Sequence, residues 1–238
     1  MQFNTDINIL GGIPDYPAMM RFVVNTLSSK NEQTFAFRTE NATKRFVSSI
    51  ERSIITCKSD SHRRLFLGAL QSEEYQQEQK YIVLFWQLVV NNELFRFISK
   101  DYYLRMMFSG RISLSTDEIL SYLYELRREN PDDLQWSEIT LKKNASKYLT
   151  LMKKLGLVEG DKEKAIRYPN IGDTLFVYLV KLSQIIYPED QSLSNPLLRF
   201  SFLEESTLIN KIKSIKFTPY WTVNQLGNDI NIEIFNYE

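Results

Sequence analysis

One cysteine, one histidine, 8 glycines and 7 prolines in 238 residues leave little room for several kinds of chemistry. A lone Cys57 excludes an intramolecular disulfide framework. His62, the single histidine, excludes multi-histidine metal sites and leaves a Ser-His-Asp triad with only one base to draw on. Gly-x-Ser-x-Gly, P-loop and Gly-x-Gly-x-x-Gly patterns are missing, so the familiar nucleophile and phosphate loops are not in view. Long apolar runs are missing too. YIVLFWQLVV, residues 81–90, is interrupted by Gln87 and bracketed by Lys80 and Asn91, far short of the roughly 20 residues a membrane-spanning helix needs. MQFNTDINIL at the start lacks the basic opening and apolar middle of a signal peptide, so a cytoplasmic location without membrane attachment is expected.

Net charge is also missing: 29 Lys and Arg balance 29 Asp and Glu, which argues against a polyanionic partner for the chain as a whole. The distribution differs from the total. Residues 30–70 hold eight basic side chains against four acidic, residues 71–133 seven against eleven, and residues 134–170 eight against four. Two basic blocks therefore flank an acidic one, either as a binding surface or as solvated helix faces of different sign.

What is present is helical periodicity. Pro17 opens a first helix through Leu27, and Thr39 caps a second in which Ala42, Phe46, Ile50 and Ile54 share a face while Lys44, Arg45 and Arg52 lie elsewhere on the cylinder. KYIVLFWQLVVNNELFRFI is apolar around most of its circumference and marks the core, with a break at Asn91–Asn92. Ser115 with Glu118 fits a capping box, Asn130-Pro131 ends that helix, and WSEITLKKNASKYLTLMKKLG begins near Ser137 and stops at Gly156.

On this last helix Leu141, Ala145, Tyr148, Leu149, Met152 and Leu155 are expected to face inward. Lys143, Lys147, Thr150 and Lys154, stepping by four, three and four, are expected to face outward, with Lys142 beside them. A stripe of ammonium groups suits a helix that tracks DNA phosphates, because each neutralised phosphate releases a counterion. Beyond Gly156 a short strand, a polar turn containing Lys162 and Lys164, and a second strand leading to Arg167 read as a hairpin. Helix, helix and hairpin together make a winged helix-turn-helix. The same architecture also serves for protein contacts.

The sequence therefore predicts a mainly α protein: a helical core with winged helix-turn-helix modules and short β-hairpin wings. Four segments are expected: an N-terminal helix-turn-helix-like module (1–60), a central helical core (61–112), a winged helix-turn-helix module (113–182) and a C-terminal helix plus β-hairpin (183–238). In the last, Lys211, Lys213 and Lys216 form a basic edge, with domain closure as the expected use.

The Leu10-Gly11-Gly12 turn, the capped basic helix TENATKRF, the run LFWQLVVNNELFRFI and WSEITLKKNASKYLTLMKKLGLV, in this order, resemble the BrxA family of BREX phage-defence systems over about residues 6–182. That resemblance implies a mostly helical protein that binds double-stranded DNA without catalysis. It also implies partners among the other BREX proteins: a methyltransferase, a phosphatase-like protein and an ATPase. The neutral total charge departs from that picture, so DNA affinity must come from local patches, with Lys44, Arg45, Arg52, Lys142, Lys143, Lys147, Lys154, Lys162, Lys164 and Arg167 as candidates. No cofactor or metal is expected.

Two other readings compete. The first is an interaction scaffold of the same defence complex. The second is a metal-dependent nuclease built from Pro14-Asp15 and Glu78-Gln79-Lys80, although Glu73, Glu74 and Glu78 read more simply as a solvated face. His62 reads as a surface or helix-start residue beside Arg63 and Arg64, and Cys57 as a packed interior one.

Overall fold

The computed structural model describes residues 3–29, 39–161, 163–227 and 229–235. The chain divides into two compact units, one formed by Met1–Cys57 with Phe66–Pro169, the other by Lys58–Leu65 with Asn170–Glu238. The protein is mainly helical, with small antiparallel strand pairings.

In the first unit, helix ends follow local capping chemistry. After α1 (Asp6–Leu10), α2 (Tyr16–Leu27) starts where Asp15 Oδ1 accepts the Ala18 N–H at 2.8 Å, and Pro17 occupies the first turn, where no N–H partner is needed. Thr39 caps α3 (Glu40–Ile50) through the Ala42 N–H at 3.2 Å, and the helix continues into a π-helical turn, Glu51–Ile55. α4 (Asp60–Gln71) contributes its first residues to the second unit and the rest to the first.

α5 (Gln77–Asn91) is the centre of this unit. Every residue from Ile82 to Val90 is buried, Gln87 included. The Gln87 amide satisfies its burial by donating to the Ile54 and Thr56 carbonyls at 2.7 and 3.0 Å, which fixes the exit of the π-helical turn against α5. Asn92 ends α5 and caps α6 (Glu93–Ile98) through the Phe95 N–H at 2.9 Å. A second π-helical turn, Ser99–Leu104, leads to α7 (Arg105–Phe108).

The N-terminal segment is held by one carboxylate. Asp6 is 3% exposed and accepts hydrogen bonds from Ser49 Oγ at 2.9 Å, Ser53 Oγ at 3.1 Å, and Arg52 Nε and Nη2 at 3.1 and 2.6 Å. So anchored, α1 also lies along the helix Glu138–Lys154. Gly11 makes that approach possible, since a Cβ there would come 2.5 Å from the Lys147 carbonyl oxygen.

The second unit contains α10 (Asp173–Ile186), α11 (Glu205–Ile212) and a hairpin numbered after the three short strands of the first unit. Those strands are β1 (Ser113–Leu114), β2 (Val158–Glu159) and β3 (Lys164–Ile166). The hairpin is β4 (Trp221–Leu226) with β5 (Asp229–Ile234), in register Trp221↔Ile234 to Leu226↔Asp229. Its core is aromatic. Trp221 stacks on Phe217 with centroids 4.9 Å apart, both rings meet Phe176, and the indole N–H donates to the Ile212 carbonyl at 3.0 Å.

Lys211, Lys213 and Lys216 are all engaged within this unit. Lys216 pairs with Asp173 at 2.8 Å, Lys211 donates to the Ile171 carbonyl at 2.5 Å, and Lys213 donates to Gln225 Oε1 at 2.6 Å. His62 stands at the start of α4 as expected, but it is fully buried rather than at the surface, with Nδ1 accepting the Lys58 N–H at 3.1 Å. Cys57 is half-buried. Among the described residues no helix is long and apolar enough to cross a membrane.

Candidate nucleic-acid interface

The second half of the first unit runs β1, α8 (Thr116–Glu129), α9 (Glu138–Lys154), β2, β3. β3 lies between the other two strands in an antiparallel sheet of order β1-β3-β2, with Ser113↔Ala165 and Val158↔Ile166 in register. The strand before the helix pair is thus stitched to the hairpin after it, which fixes α8 and α9 between two ends of one sheet.

Glu118 organises the start of α8. Its backbone N–H donates to Ser115 Oγ and its carboxylate takes the Ser115 N–H, both at 3.2 Å, closing the capping box. Arg111 at 2.6 Å and the Tyr102 hydroxyl at 3.0 Å donate to the same carboxylate. Burial pushes the Glu118 carboxyl up, but these hydrogen bonds outweigh it and hold it below the usual range. Between α8 and α9, Arg127 lies over the Tyr124 ring at 5.2 Å and donates to the Trp136 carbonyl at 3.2 Å, which fixes the turn. Ser137 caps α9 through the Thr140 N–H at 3.3 Å. Gly156, at φ +74°, ends the helix, with the Leu157 N–H returning to the Met152 carbonyl at 2.9 Å.

α9 is buried over a broader arc than its spacing predicts. Leu141, Ala145, Tyr148, Leu149, Met152 and Leu155 face inward as expected, and Asn144 and Leu151 are buried with them. At about 100° per residue the outer face then centres on Ile139, Lys142, Lys143, Ser146 and Lys153, all exposed. The expected outward stripe is therefore outward only in part. Lys143 is exposed, Lys147 and Thr150 are half-buried, and Lys154 turns toward the N-terminal segment. The Lys154 ammonium donates to the Ile13 carbonyl and sits 5.0 Å from the centroid of the Tyr16 ring. Burial, with Lys147 as a second cause, holds its pKa below the usual lysine range.

The other candidate residues divide similarly. Lys44 is exposed on α3 and pairs with Glu40 at 2.6 Å, and Arg45 is exposed beside it. Arg52 is committed to buried Asp6, and that hydrogen bond raises its pKa. Lys164 donates to the Gly160 and Asp161 carbonyls at 2.8 and 2.7 Å, so it closes the hairpin tip. Arg167 is exposed, 3.7 Å from Glu159. Lys162 lies outside the described residues.

Lys153, which sequence reasoning passed over, holds the hairpin to the helix through Asp161 at 2.6 Å, and this contact lowers the Asp161 pKa. Leu151 was the available signal: adding it to the inward row moves the outer face from Lys154 toward Lys153. Lys142, Lys143 and Lys153 share the outer face of α9, with Lys153 alone of the three paired to the hairpin, while Lys44 and Arg45 stand on a separate helix. Among the described residues no group of three His, Cys, Asp or Glu side chains is placed to hold a metal ion.

These features define a mainly helical protein whose exposed basic helix is framed by a small three-stranded sheet. The model of the BrxA family matches residues 27–183, and the chain belongs to that family. Membership implies an association with the BREX system. No curated protein and no solved structure matches the chain.

Proposed function

We propose that this protein is a non-enzymatic, double-stranded-DNA-binding accessory component of a BREX phage-defence system. It holds duplex mainly through phosphates, with little sequence specificity, and works beside the system's methyltransferase, phosphatase-like protein and ATPase. The observation that supports this reading is the order β1-α8-α9-β2-β3 with β3 central, an order that suits a winged helix-turn-helix. In it α9 serves as the groove helix and the β2–β3 hairpin as the wing. The exposed Lys142 and Lys143 stand near the α9 N-terminus, the part of such a helix that approaches the groove first.

The outer face carries no Arg, Asn or Gln for bidentate base reading, which supports phosphate contact over sequence reading. The test is duplex affinity against salt for the wild type and for Lys142→Glu/Lys143→Glu. Phosphate contact gives a log–log slope of about −0.9 per neutralised phosphate, so the double variant should be shallower by nearly 2. Absence of salt-dependent binding in the wild type, even at low salt, would overturn the reading.

One observation favours a protein-binding alternative. Ile112 and Tyr168, beside the strands, are 85% and 63% exposed, an apolar surface suited to a scaffold within the same complex. That reading expects no duplex affinity, and pull-down of another BREX protein that is lost in Ile112→Asp.

A further inference from the structure

Ile139 is 66% exposed in the first turn of α9, two residues past the Ser137 cap. Its neighbours at i+3 and i+4 are Lys142 and Lys143, both exposed, with Ser146 one further turn along. The polar side chains of the same turn are occupied, since Ser137 caps the helix and its hydroxyl lies 3.1 Å from Thr140 Oγ1. The exposed carboxylate of Glu138 sits about 100° around the cylinder from Ile139. The outer side of the first turn thus presents a branched apolar group between two cations.

This combination selects its partner. Two lysines closing over an apolar protein surface would lose hydration without compensation, whereas a polyanion supplies the counter-charge. Within the major groove of a duplex the one apolar group on the base edges is the thymine C5 methyl. We propose that Ile139 packs against thymine methyl groups, giving a modest preference for thymine within binding that is otherwise driven by phosphates. The proposal rests on the duplex-binding reading above and names what that interface reads.

The test compares a short duplex of alternating adenine and thymine with its adenine–uracil counterpart, which differs only in the C5 methyls, by fluorescence anisotropy at fixed salt. The wild type should bind the uracil duplex about fourfold more weakly for each methyl in contact, the worth of one buried CH₂-sized group. Ile139→Ala should bind both duplexes equally and keep the wild-type salt slope. Ile139→Val, which retains a branch at Cβ, should keep part of the discrimination. The ratio measured for Ile139→Ala is the reference against which the wild-type ratio is read, so a difference intrinsic to the two duplexes does not count as a methyl contact. Equal wild-type affinity for both, with salt dependence intact, would overturn the methyl contact and leave duplex binding standing. Loss of salt-dependent binding to either duplex would overturn both readings.

Discussion

Replacing Asp6 with alanine should destabilise the first unit by about 3 kcal/mol, an amount that follows from the four hydrogen bonds its carboxylate accepts. Ser49 and Ser53 are buried, and each loses a bond worth about 1 kcal/mol and keeps a hydroxyl away from water. The Arg52 side chain is 56% exposed, so its pair with Asp6 falls near the surface range of up to about 1 kcal/mol, well below a fully buried pair. Asp6→Asn keeps one acceptor oxygen and should cost about half as much.

Urea denaturation supplies the assay. The midpoint should fall while the m-value stays constant, because the surface exposed on unfolding is nearly unchanged. A double-mutant cycle sharpens it: Ser49→Ala with Ser53→Ala should cost less in the Asp6→Ala background than in the wild type. A loss below about 1 kcal/mol for Asp6→Ala, or purely additive costs, would refute the assignment of Asp6 as the anchor of α1.

Two further outcomes follow from the geometry. Lys154→Gln should leave the salt slope of duplex binding unchanged, because its ammonium is spent on the Ile13 carbonyl, whereas Lys143→Gln should reduce the slope by about 0.9. For Glu118, whose pKa is depressed in the folded state, the stabilisation is complete above the ordinary glutamate range and is lost as pH falls through the folded value. The stability difference between wild type and Glu118→Gln should therefore shrink on acidification, as read by thermal melts across an acid series.

Much of the fold is legible because helix boundaries are local chemistry. Thr39, Ser115 with Glu118, Ser137 and Gly156 each declare an end within three or four residues of the groups they satisfy, and the structure places them there. Asn92 marks the break between α5 and α6 in the same way. What eluded the sequence depends on distant partners. β1 is two residues long and exists through Ala165 and Lys164, some fifty positions away. Asp6 gains meaning only beside Ser49, Arg52 and Ser53.

The candidate surface shows the same division. Lys142 and Lys143 are exposed by helical spacing alone, while Lys147 and Lys154 are covered in part by the N-terminal segment around Gly11, Ile13 and Tyr16, more than a hundred residues earlier. Lys164 carries the composition of a phosphate contact, yet the carbonyls it closes over lie in its own turn. Periodicity reports which way a side chain leaves its helix; it does not report what else has been laid across that side.

The bare backbone at Gly11 bears on how relatives of this chain can diverge. Two parts of the sequence 136 residues apart meet there at a spacing that a single methyl group would close, so a side chain at position 11 requires the backbone around Lys147 to move. A homologue bearing a side chain at 11 must carry its first helix elsewhere, and the lysines corresponding to 147 and 154 would then return to solvent. In this chain the breadth of the basic surface on α9 is in this way tied to the size of one residue that has no charge at all.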